Sequence, residues 1–449
     1  MGNVNKIVIV GANHSGLAAQ KFLSMAKEKK FDIIMIDKSS KISYLSCGLS
    51  LLIKKEINNL QELYYATPQE LCAEGVQMLL ETEVIGIDVE KKQLFCKRKD
   101  GSKFRQEYGI LILATGSKQL TFDIPNSHLD NIFTVKKHTH ALELMKTIVD
   151  DSIDKVGIIG AGYIGVELAE AISKIDKEVY LIDAADRVLS MYYDEDFSNK
   201  VEALLIENNV HLCLGQTPKS YIGKNKIKKI VTNLENYSID MVIQAIGFIP
   251  NSQIGGNKFM KDLTGAYLTN KYQQTSVKDV YAIGDCATTF SSILNQNTLD
   301  YSISNAVRSA YIASKCIMGE TFHPFSSHLT NGFSIYDYKF YSIGMNFKMA
   351  NLFGMIVDYV EMDEKITPYF MKDITQIKLR IIFEKSSKKI VGAQIFSQEE
   401  CSGLLAMFSL AIEKQVTIDE LQMLDYLFYP QFSQPYNFIL RAMMSSSKK

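Results

Sequence analysis

The chain has 449 residues, of which 47% are hydrophobic and 22% are charged, and its formal net charge at pH 7 is −1. This length exceeds one compact core, so two or three domains are expected. The balanced charge offers no basic field to nucleic acid or anionic lipid, no apolar run reaches the about 20 residues of a membrane span, and the N-terminus lacks a signal-peptide pattern. The composition predicts a cytoplasmic globular protein without nucleic-acid or membrane partners.

The chain begins with a strand–turn–helix–strand unit. The apolar run Lys6–Val10 predicts a buried parallel strand, and the sequence GANHSG at residues 11–16 predicts a glycine turn. A helix is predicted over 17–29, followed by a second strand over 33–36 that ends at Asp37. This order of elements is that of a dinucleotide-binding βαβ unit.

The chemistry of the first unit follows from its turn residues. Gly11 permits the tight turn, Gly16 lets the helix approach the strand, and the helix N-terminus presents free N–H groups to a pyrophosphate. Asp37 is placed to accept hydrogen bonds from a ribose diol. Asn13 replaces the middle glycine of the usual pattern, which makes this match the weaker of the two in the chain.

Cys47 lies ten residues beyond Asp37, where apolar helical spacing resumes. A thiol at a helix N-terminus ionises more readily, so we expect a lowered pKa and a reactive side chain. The alternative is an inert core residue, as expected for most of the seven cysteines. The cysteines stand at positions 47, 72, 96, 213, 286, 316 and 401.

The cysteine spacing limits the redox chemistry. No Cys-x-x-Cys pair occurs, so neither a zinc site nor a thioredoxin-type dithiol is predicted, and no other metal site is expected. Because residues 48–52 hold no second cysteine, oxidised Cys47 would be a sulfenic acid or a mixed disulfide with a small thiol.

His14 lies inside the first glycine turn, where small residues are usual. If Cys47 reaches the same region, His14 could hydrogen-bond its sulfenate or supply a proton as oxygen is cleaved. The alternative is a histidine that caps the turn.

The dinucleotide pattern recurs more completely after the strand Lys155–Ile159. Gly160, Gly162 and Gly165 supply all three glycines, and Asp183 ends the following strand. Two such units predict two dinucleotides. Asp183 would bind the ribose diol of NAD and repel the 2′-phosphate of NADP, so NADH is expected over NADPH; the alternative is that Asp183 merely ends a strand.

Two further strands, at residues 108–116 and 279–285, flank the second unit as if it were inserted into the first. The earlier strand ends in Thr115 and Gly116. Asp285, at the end of the later strand, could meet a ribityl hydroxyl or a phosphate-bound water of FAD, although a Gly-Asp pair alone indicates only a turn. A hydride from NADH, relayed through such a flavin, could reduce oxidised Cys47.

These motifs resemble the NADH oxidases and NADH peroxidases of the pyridine nucleotide-disulfide oxidoreductase superfamily. Beyond the two turns, the resemblance includes Ser46-Cys47-Gly48, Ala114-Thr-Gly116, Gly284-Asp285, residues 337–340 and residues 430–437. It implies an α/β, three-domain, glutathione-reductase-like fold with two Rossmann-type domains and an α+β C-terminal dimerisation domain. The implied boundaries are 1–118 and 249–325 for FAD, 119–248 for NAD, and 326–449 for a homodimer interface. The last part contains a predicted strand at 377–383 and a helix at 403–414.

The resemblance also assigns residues. Catalysis is implied for Cys47 and His14. The FAD contacts implied are Gly11, Gly16, Asp37, Cys47, Thr115, Gly116 and Asp285, with Asn13 in the same turn. The NADH contacts implied are Tyr163, Ile164, Asp183, Tyr192 and Gly247, beside the turn residues Gly160, Gly162 and Gly165.

Three activities compete within the resemblance: reduction of oxygen to water, reduction of hydrogen peroxide, and cleavage of coenzyme A disulfide. The disulfide reductases lack a histidine like His14 and carry tyrosine where this chain has Phe428. The peroxidases carry arginine where this chain has Val307. The water-forming NADH oxidase is therefore favoured, and a flavin redox sensor without turnover is the non-enzymatic alternative.

Overall fold

The computed structural model describes residues 5–26, 30–371 and 375–444. Its first sheet is parallel and five-stranded. The strands, in spatial order, are Val280–Ala282, Ile110–Leu113, Lys6–Val10, Asp32–Ile36 and Gln77–Leu79. Apolar, β-branched runs form these strands because both faces of the sheet are covered.

Helices and a small antiparallel sheet complete this first unit. The helices are His14–Ser24, Leu49–Ile53, Pro68–Ala73 and Ile303–Met318, with 3₁₀ turns at Ser46–Gly48, Leu60–Leu63, Gly256–Lys258 and Gly284–Cys286. The antiparallel strands are Thr82–Asp88, Gln93–Arg98 and Lys103–Glu107. The helix predicted over 17–29 begins earlier, at His14, and ends at Ser24; residues 27–29 lie outside the described residues.

The second parallel sheet repeats the first arrangement. Its strands, in spatial order, are Val210–Cys213, Glu178–Ile182, Lys155–Ile159, Met241–Gln244 and Ile132–Phe133. Its helices are His138–Ile148, Tyr163–Ser173 and Glu195–Glu207, and an antiparallel sheet of Pro218–Gly223, Ile227–Thr232 and Asn236–Ser238 lies beside it.

A two-stranded ribbon joins the two units. Ser117–Gln119, where the chain leaves the first unit, pairs antiparallel with Phe248–Pro250, where it returns. The strand Val280–Ala282 then re-enters the first sheet beside Ile110–Leu113. The second unit is thus inserted between strands of the first, as the sequence indicates, while the exact domain boundaries stay predictions.

The C-terminal part is an antiparallel five-stranded sheet packed with helices, so the predicted α/β, three-part fold class is confirmed. Its strands, in spatial order, are Asn331–Ile335, Tyr338–Gly344, Ile390–Ser397, Gln376–Glu384 and Val357–Lys365. Its helices are Phe347–Leu352, Ser402–Glu413, Ile418–Leu421 and Phe438–Met444, and a hairpin of Thr289–Ser291 and Gln296–Thr298 precedes it. Among the helices of the described residues, none combines the length and apolar character needed to cross a membrane.

Candidate functional site: two dinucleotide cradles and a cysteine

The first glycine turn (residues 11–16) is built so that only glycine fits at its ends. Gly11 has φ +113°, and a Cβ there would lie 2.1 Å from the carbonyl oxygen of Ala114. A Cβ on Gly16 would lie 1.9 Å from the carbonyl oxygen of Gly11. The turn therefore brings strand end and helix N-terminus as close as backbones allow, which is the approach that a pyrophosphate needs.

Asp37 closes this turn. Its carboxylate accepts hydrogen bonds from the backbone N–H of Ala12 at 2.7 Å and of Ser39 at 2.7 Å. Burial raises the pKa of Asp37, and these two backbone bonds oppose the rise. A cavity of about 400 Å³ opens beside Gly11, Asp37 and Thr115. It fits the adenosine end of a dinucleotide held at the turn.

The two other predicted strand ends lie nearby. Thr115 donates its hydroxyl to the carbonyl of Asn251 at 2.5 Å. Asp285 accepts a hydrogen bond from the Ser117 hydroxyl at 2.6 Å and an ion-paired bond from the Lys136 ammonium at 2.9 Å. Ser117 and Lys136 were not predicted, since both are far from Asp285 in sequence and neither belongs to a recognisable motif. Gly116, which lies between Thr115 and Ser117 in the chain, has a backbone φ of +67°.

Cys47 lies in the 3₁₀ turn Ser46–Gly48, ahead of a helix of only five residues, Leu49–Ile53. Cys47 and Cys72 are the two exposed cysteines. Three of the seven cysteines are buried, whereas the sequence predicted that most of them would be. The expected lowering of its pKa is wrong. Desolvation by the surrounding protein raises the pKa of the Cys47 thiol, and the negative charge of Glu167 raises it further.

Glu167 is a part of this site that the sequence did not indicate. It lies on the helix Tyr163–Ser173 of the second unit, and burial raises its pKa to about 7, with Lys54 lowering it and Glu170 raising it. Lys54 pairs with Glu170 at 3.2 Å, and both side chains are buried. This ion pair joins the short helix after Cys47 to the helix of the second dinucleotide unit.

His14 is the first residue of the helix His14–Ser24. Its Nδ1 lies 3.0 Å from the hydroxyl of Tyr65, and the two rings stack with centroids 5.7 Å apart. Burial lowers the pKa of His14, the charge of Asp285 opposes this, and Lys136 adds to the lowering. Tyr65, another residue outside the predicted set, thereby fixes one ring nitrogen and leaves Nε2 for other partners.

Asn13 connects the turn to the cysteine segment. Its side-chain amide donates to the carbonyl of Tyr44 at 3.3 Å. The chain that leads to Cys47 is therefore bound to the turn that contains His14. This bond gives the residue in the place of the middle glycine a structural role, and it brings the segments of the two predicted catalytic residues together.

The second glycine turn (residues 160–165) repeats the geometry of the first. Gly160 has φ +108°, and a Cβ there would lie 2.4 Å from the carbonyl oxygen of Ala245. A Cβ on Gly165 would lie 1.7 Å from the carbonyl oxygen of Gly160. Apart from its own chain neighbours and helix backbone, no atom of the described residues lies within 4 Å of a Cβ built on Gly162, so the space there has room for a ligand.

Asp183 repeats the role of Asp37. Its carboxylate accepts from the backbone N–H of Ala161 at 2.5 Å and of Ala185 at 2.7 Å. A cavity of about 510 Å³ lies against this acid and the glycine turn. Of the predicted NADH contacts, those that line it are Gly160, Gly162, Asp183, Tyr192 and Gly247. Arg187 and Gln216 also line it and were not predicted.

Three predicted residues of this site do not line the cavity: Tyr163, Ile164 and Gly165. Tyr163 packs its ring against Tyr192 at 4.4 Å, and its hydroxyl lies 3.2 Å from that of Ser342. Ile164 packs against the core of the second sheet, and Gly165 is buried at the strand contact. Their contacts with NADH stay predictions.

Two glycine turns of the same geometry, each with an acid at the end of the next strand, form two dinucleotide-binding cradles, and the unit that carries the second is inserted into the first. This arrangement defines a two-dinucleotide oxidoreductase. The family model for the pyridine nucleotide-disulphide oxidoreductases matches residues 5–314, and the model for the dimerisation domain of that family matches residues 332–437. The chain belongs to the pyridine nucleotide-disulphide oxidoreductase family and is an oxidoreductase. This family is FAD-dependent, so the predicted cofactors are confirmed at the level of the family.

Curated relatives and solved structures narrow the resemblance. The chain is 36% identical to an NADH oxidase of Lactococcus lactis, over 98% of this chain and 100% of that protein. It is 35% identical to an NADH oxidase of Streptococcus pneumoniae, over 99% and 100% of the two chains. The structure of a water-forming NADH oxidase from Lactobacillus brevis, bound to NADH, matches with a TM-score of 0.94 and 29% identity, covering 98% of each chain.

Proposed function

We propose that this protein is a water-forming NADH oxidase, with FAD at the first glycine turn, NADH at the second, and Cys47 and His14 as catalytic residues. The observation that carries the proposal is the pair of matching cradles with the cysteine segment bound to the first of them. The names of the relatives support oxidation of NADH.

The chain's own residues divide the work of binding. Glycine at residue 162 leaves room for the pyrophosphate of NADH beside the helix N-terminus. The carboxylate of Asp183, fixed by two backbone N–H groups, is placed to accept hydrogen bonds from the ribose diol of NADH and to repel the 2′-phosphate of NADPH. Asp37 occupies the equivalent position for FAD. FAD, when bound, supplies the two-electron transfer between nicotinamide and oxygen.

Cys47 accounts for water as the product. Oxygen and one NADH with one proton give hydrogen peroxide and NAD⁺. The thiolate of Cys47 attacks one peroxide oxygen, the O–O bond breaks, and the leaving hydroxide takes a proton to become water. A second NADH with one proton reduces the resulting sulfenic acid to thiol, NAD⁺ and a second water. His14, with Nδ1 held by Tyr65, is placed to carry a proton at Nε2.

Stoichiometry tests this function. The purified holoenzyme is expected to consume two NADH for each oxygen without accumulating peroxide. One NADH per oxygen with accumulating peroxide would refute water formation. Consumption of one NADH per added peroxide without oxygen uptake would instead identify a peroxidase, reduction of coenzyme A disulfide a disulfide reductase, and absence of turnover with all three a redox sensor.

Replacing Cys47 by Ser tests the thiol. Flavin reduction by NADH is expected to persist, while peroxide escapes because the second reduction needs the sulfur. The exposed Cys72→Ser variant is the control and should keep the wild-type yield of water. An unchanged water yield in the Cys47 variant would remove Cys47 from the mechanism.

A homodimer in the cytoplasm is the setting of this proposal. The dimerisation model covers most of the C-terminal part, and that part exposes a group of large apolar side chains. They are Tyr369, Phe370, Leu427, Phe428, Phe432 and Tyr436. Light scattering should give twice the mass of 50.6 kDa; the mass of one chain at micromolar concentration would contradict it.

A further inference from the structure

One wall of the NADH cavity is a short segment between strand and helix, and it carries Tyr192. Tyr192 lines the cavity and packs against Tyr163. Asp183 marks the adenosine end of the cavity. Tyr192 lines the cavity beside Tyr163, the first residue of the helix whose N-terminus would face the pyrophosphate.

Two residues after Tyr192, the C-terminal domain is hydrogen-bonded to Asp194. The backbone N–H of Asp194 donates to the side-chain oxygen of Gln394 at 3.0 Å. Its carboxylate accepts from Gln394 Nε2 at 2.9 Å, from Phe347 N at 2.9 Å and from Arg380 Nη1 at 3.1 Å. We call Asp194, Gln394, Phe347 and Arg380 the Asp194 cluster; Asp194, Gln394 and Arg380 are all buried.

This arrangement goes beyond ordinary helix capping. Asp194 is the N-cap of Glu195–Glu207, yet its side chain makes no bond to that helix and is used entirely for the C-terminal domain. A second tether lies on the other side of Tyr192, where the Lys348 ammonium donates to the Ser190 hydroxyl at 3.1 Å. The segment from Ser190 to Asp194 is thus held at both ends by the same domain.

Arg380 is itself fixed. Its Nε donates to Glu361 at 2.8 Å, its Nη2 donates to Asp196 at 2.8 Å, and its guanidinium lies 4.5 Å over the ring of Tyr359. A planar fork whose three nitrogens all donate to carboxylates is a rigid anchor. The C-terminal sheet therefore fixes the position of Asp194.

We propose that the C-terminal domain, through the Asp194 cluster, positions Tyr192 and so sets the affinity of the cavity for the nicotinamide half of NADH. The proposal rests on the proposed function, in which NADH binds this cavity. Gln394, Arg380 and Asp194 are positioning residues, since none of them lines the cavity.

A reciprocal exchange tests the cluster in the holoenzyme. Gln394→Glu sets a second carboxylate against Asp194, and Asp194→Asn removes the charge that Arg380 binds. Each single variant should raise the KM for NADH roughly fivefold to twentyfold with kcat within about twofold, as coupled contacts of this kind do. The double variant Asp194→Asn/Gln394→Glu restores the side-chain hydrogen bond between the two residues and the net charge, whereas the bond from Arg380 to residue 194 stays lost. Its KM should therefore fall below that of the single variants without reaching the wild-type value.

The matched control is Gln376→Met, on the strand beside Gln394. Its amide donates to Asp363 of the same domain at 2.8 Å and does not line the NADH cavity, so KM for NADH should not change. Flavin content and melting temperature of each variant show whether the fold is intact. Single variants with normal KM would overturn the proposal.

Binding to the oxidised holoenzyme separates this proposal from the function on which it rests. Calorimetric titration with NAD⁺ should show weakened binding in the single variants, whereas AMP, which carries only the adenosine end, should bind as in wild type. Equal loss for both ligands would mean general damage and overturn positioning. Failure of wild-type protein to bind either ligand would instead refute the NADH site.

Discussion

Replacing Gly162 by Ala is expected to separate dinucleotide binding from folding. The backbone at Gly162 has φ −78° and ψ −172°, a conformation open to any residue. Within the described part of the chain, no atom beyond its own neighbours lies within 4 Å of the added Cβ. The folding cost is then only the weaker N-cap preference of alanine, about 1 kcal/mol, or a fall of about 2–4 °C in melting temperature.

The same methyl group would enter the NADH cavity, which Gly162 lines. A pyrophosphate there must approach the backbone, so the KM for NADH and the Kd for NAD⁺ should each rise about tenfold or more, equivalent to about 1.4 kcal/mol per factor of ten. Steady-state kinetics, calorimetry with NAD⁺ and thermal unfolding measure the three quantities on one preparation.

Gly403→Ala is the matched control. An added Cβ on Gly403 likewise meets no atom within 4 Å among the residues that the structure describes, its own helix apart. Gly403 lies in the first turn of Ser402–Glu413 and lines neither cavity. Both substitutions should leave the fold intact, but only Gly162→Ala should weaken the binding of NADH. An intact Gly162→Ala protein with wild-type KM and Kd would refute the assignment of this turn to NADH.

Two further predictions concern charge. Asp183→Asn should narrow the preference for NADH over NADPH, because the charge that repels a 2′-phosphate is lost while one acceptor for the backbone remains; an unchanged ratio of kcat/KM values would remove Asp183 from the cofactor site. Glu167→Gln should shift the pH profile of Cys47 alkylation to lower pH, because the pKa of the thiol is raised partly by the Glu167 charge. Since only the thiolate reacts, alkylation at a fixed pH near neutrality should become faster. Glu178→Gln, at the start of the strand Glu178–Ile182, is the control. An unchanged pH profile in the Glu167 variant would show that Glu167 does not act on the thiol.

Local patterns predicted the cradles well. A strand, a glycine turn, a helix and a terminal acid follow one another within about 30 residues, so the sequence contains every partner of the βαβ unit. The strands Lys6–Val10 and Lys155–Ile159 lie where predicted, and Asp37 and Asp183 each follow a strand end. The helix at 403–414 is displaced by one residue, to Ser402–Glu413.

The environment of Cys47 could not be predicted in the same way. Helix spacing after Cys47 predicted a lowered pKa, but the helix is only five residues long, and desolvation by the surrounding protein and the charge of Glu167 raise the pKa instead. Glu167 reaches the thiol only because the inserted unit packs against the short helix after Cys47, through Lys54 and Glu170. No local pattern contains that contact.

The sequence by itself determined the two glycine turns, their acids and the absence of a second cysteine next to Cys47, because each depends on residues within one short unit. Tertiary structure alone decided the pKa of Cys47, the partners of Asp285 and the grip of Arg380 and Gln394 on Asp194. Those features depend on distances between groups brought together by packing, and electrostatic and hydrogen-bond energies are set by distance and burial in space rather than by separation along the chain.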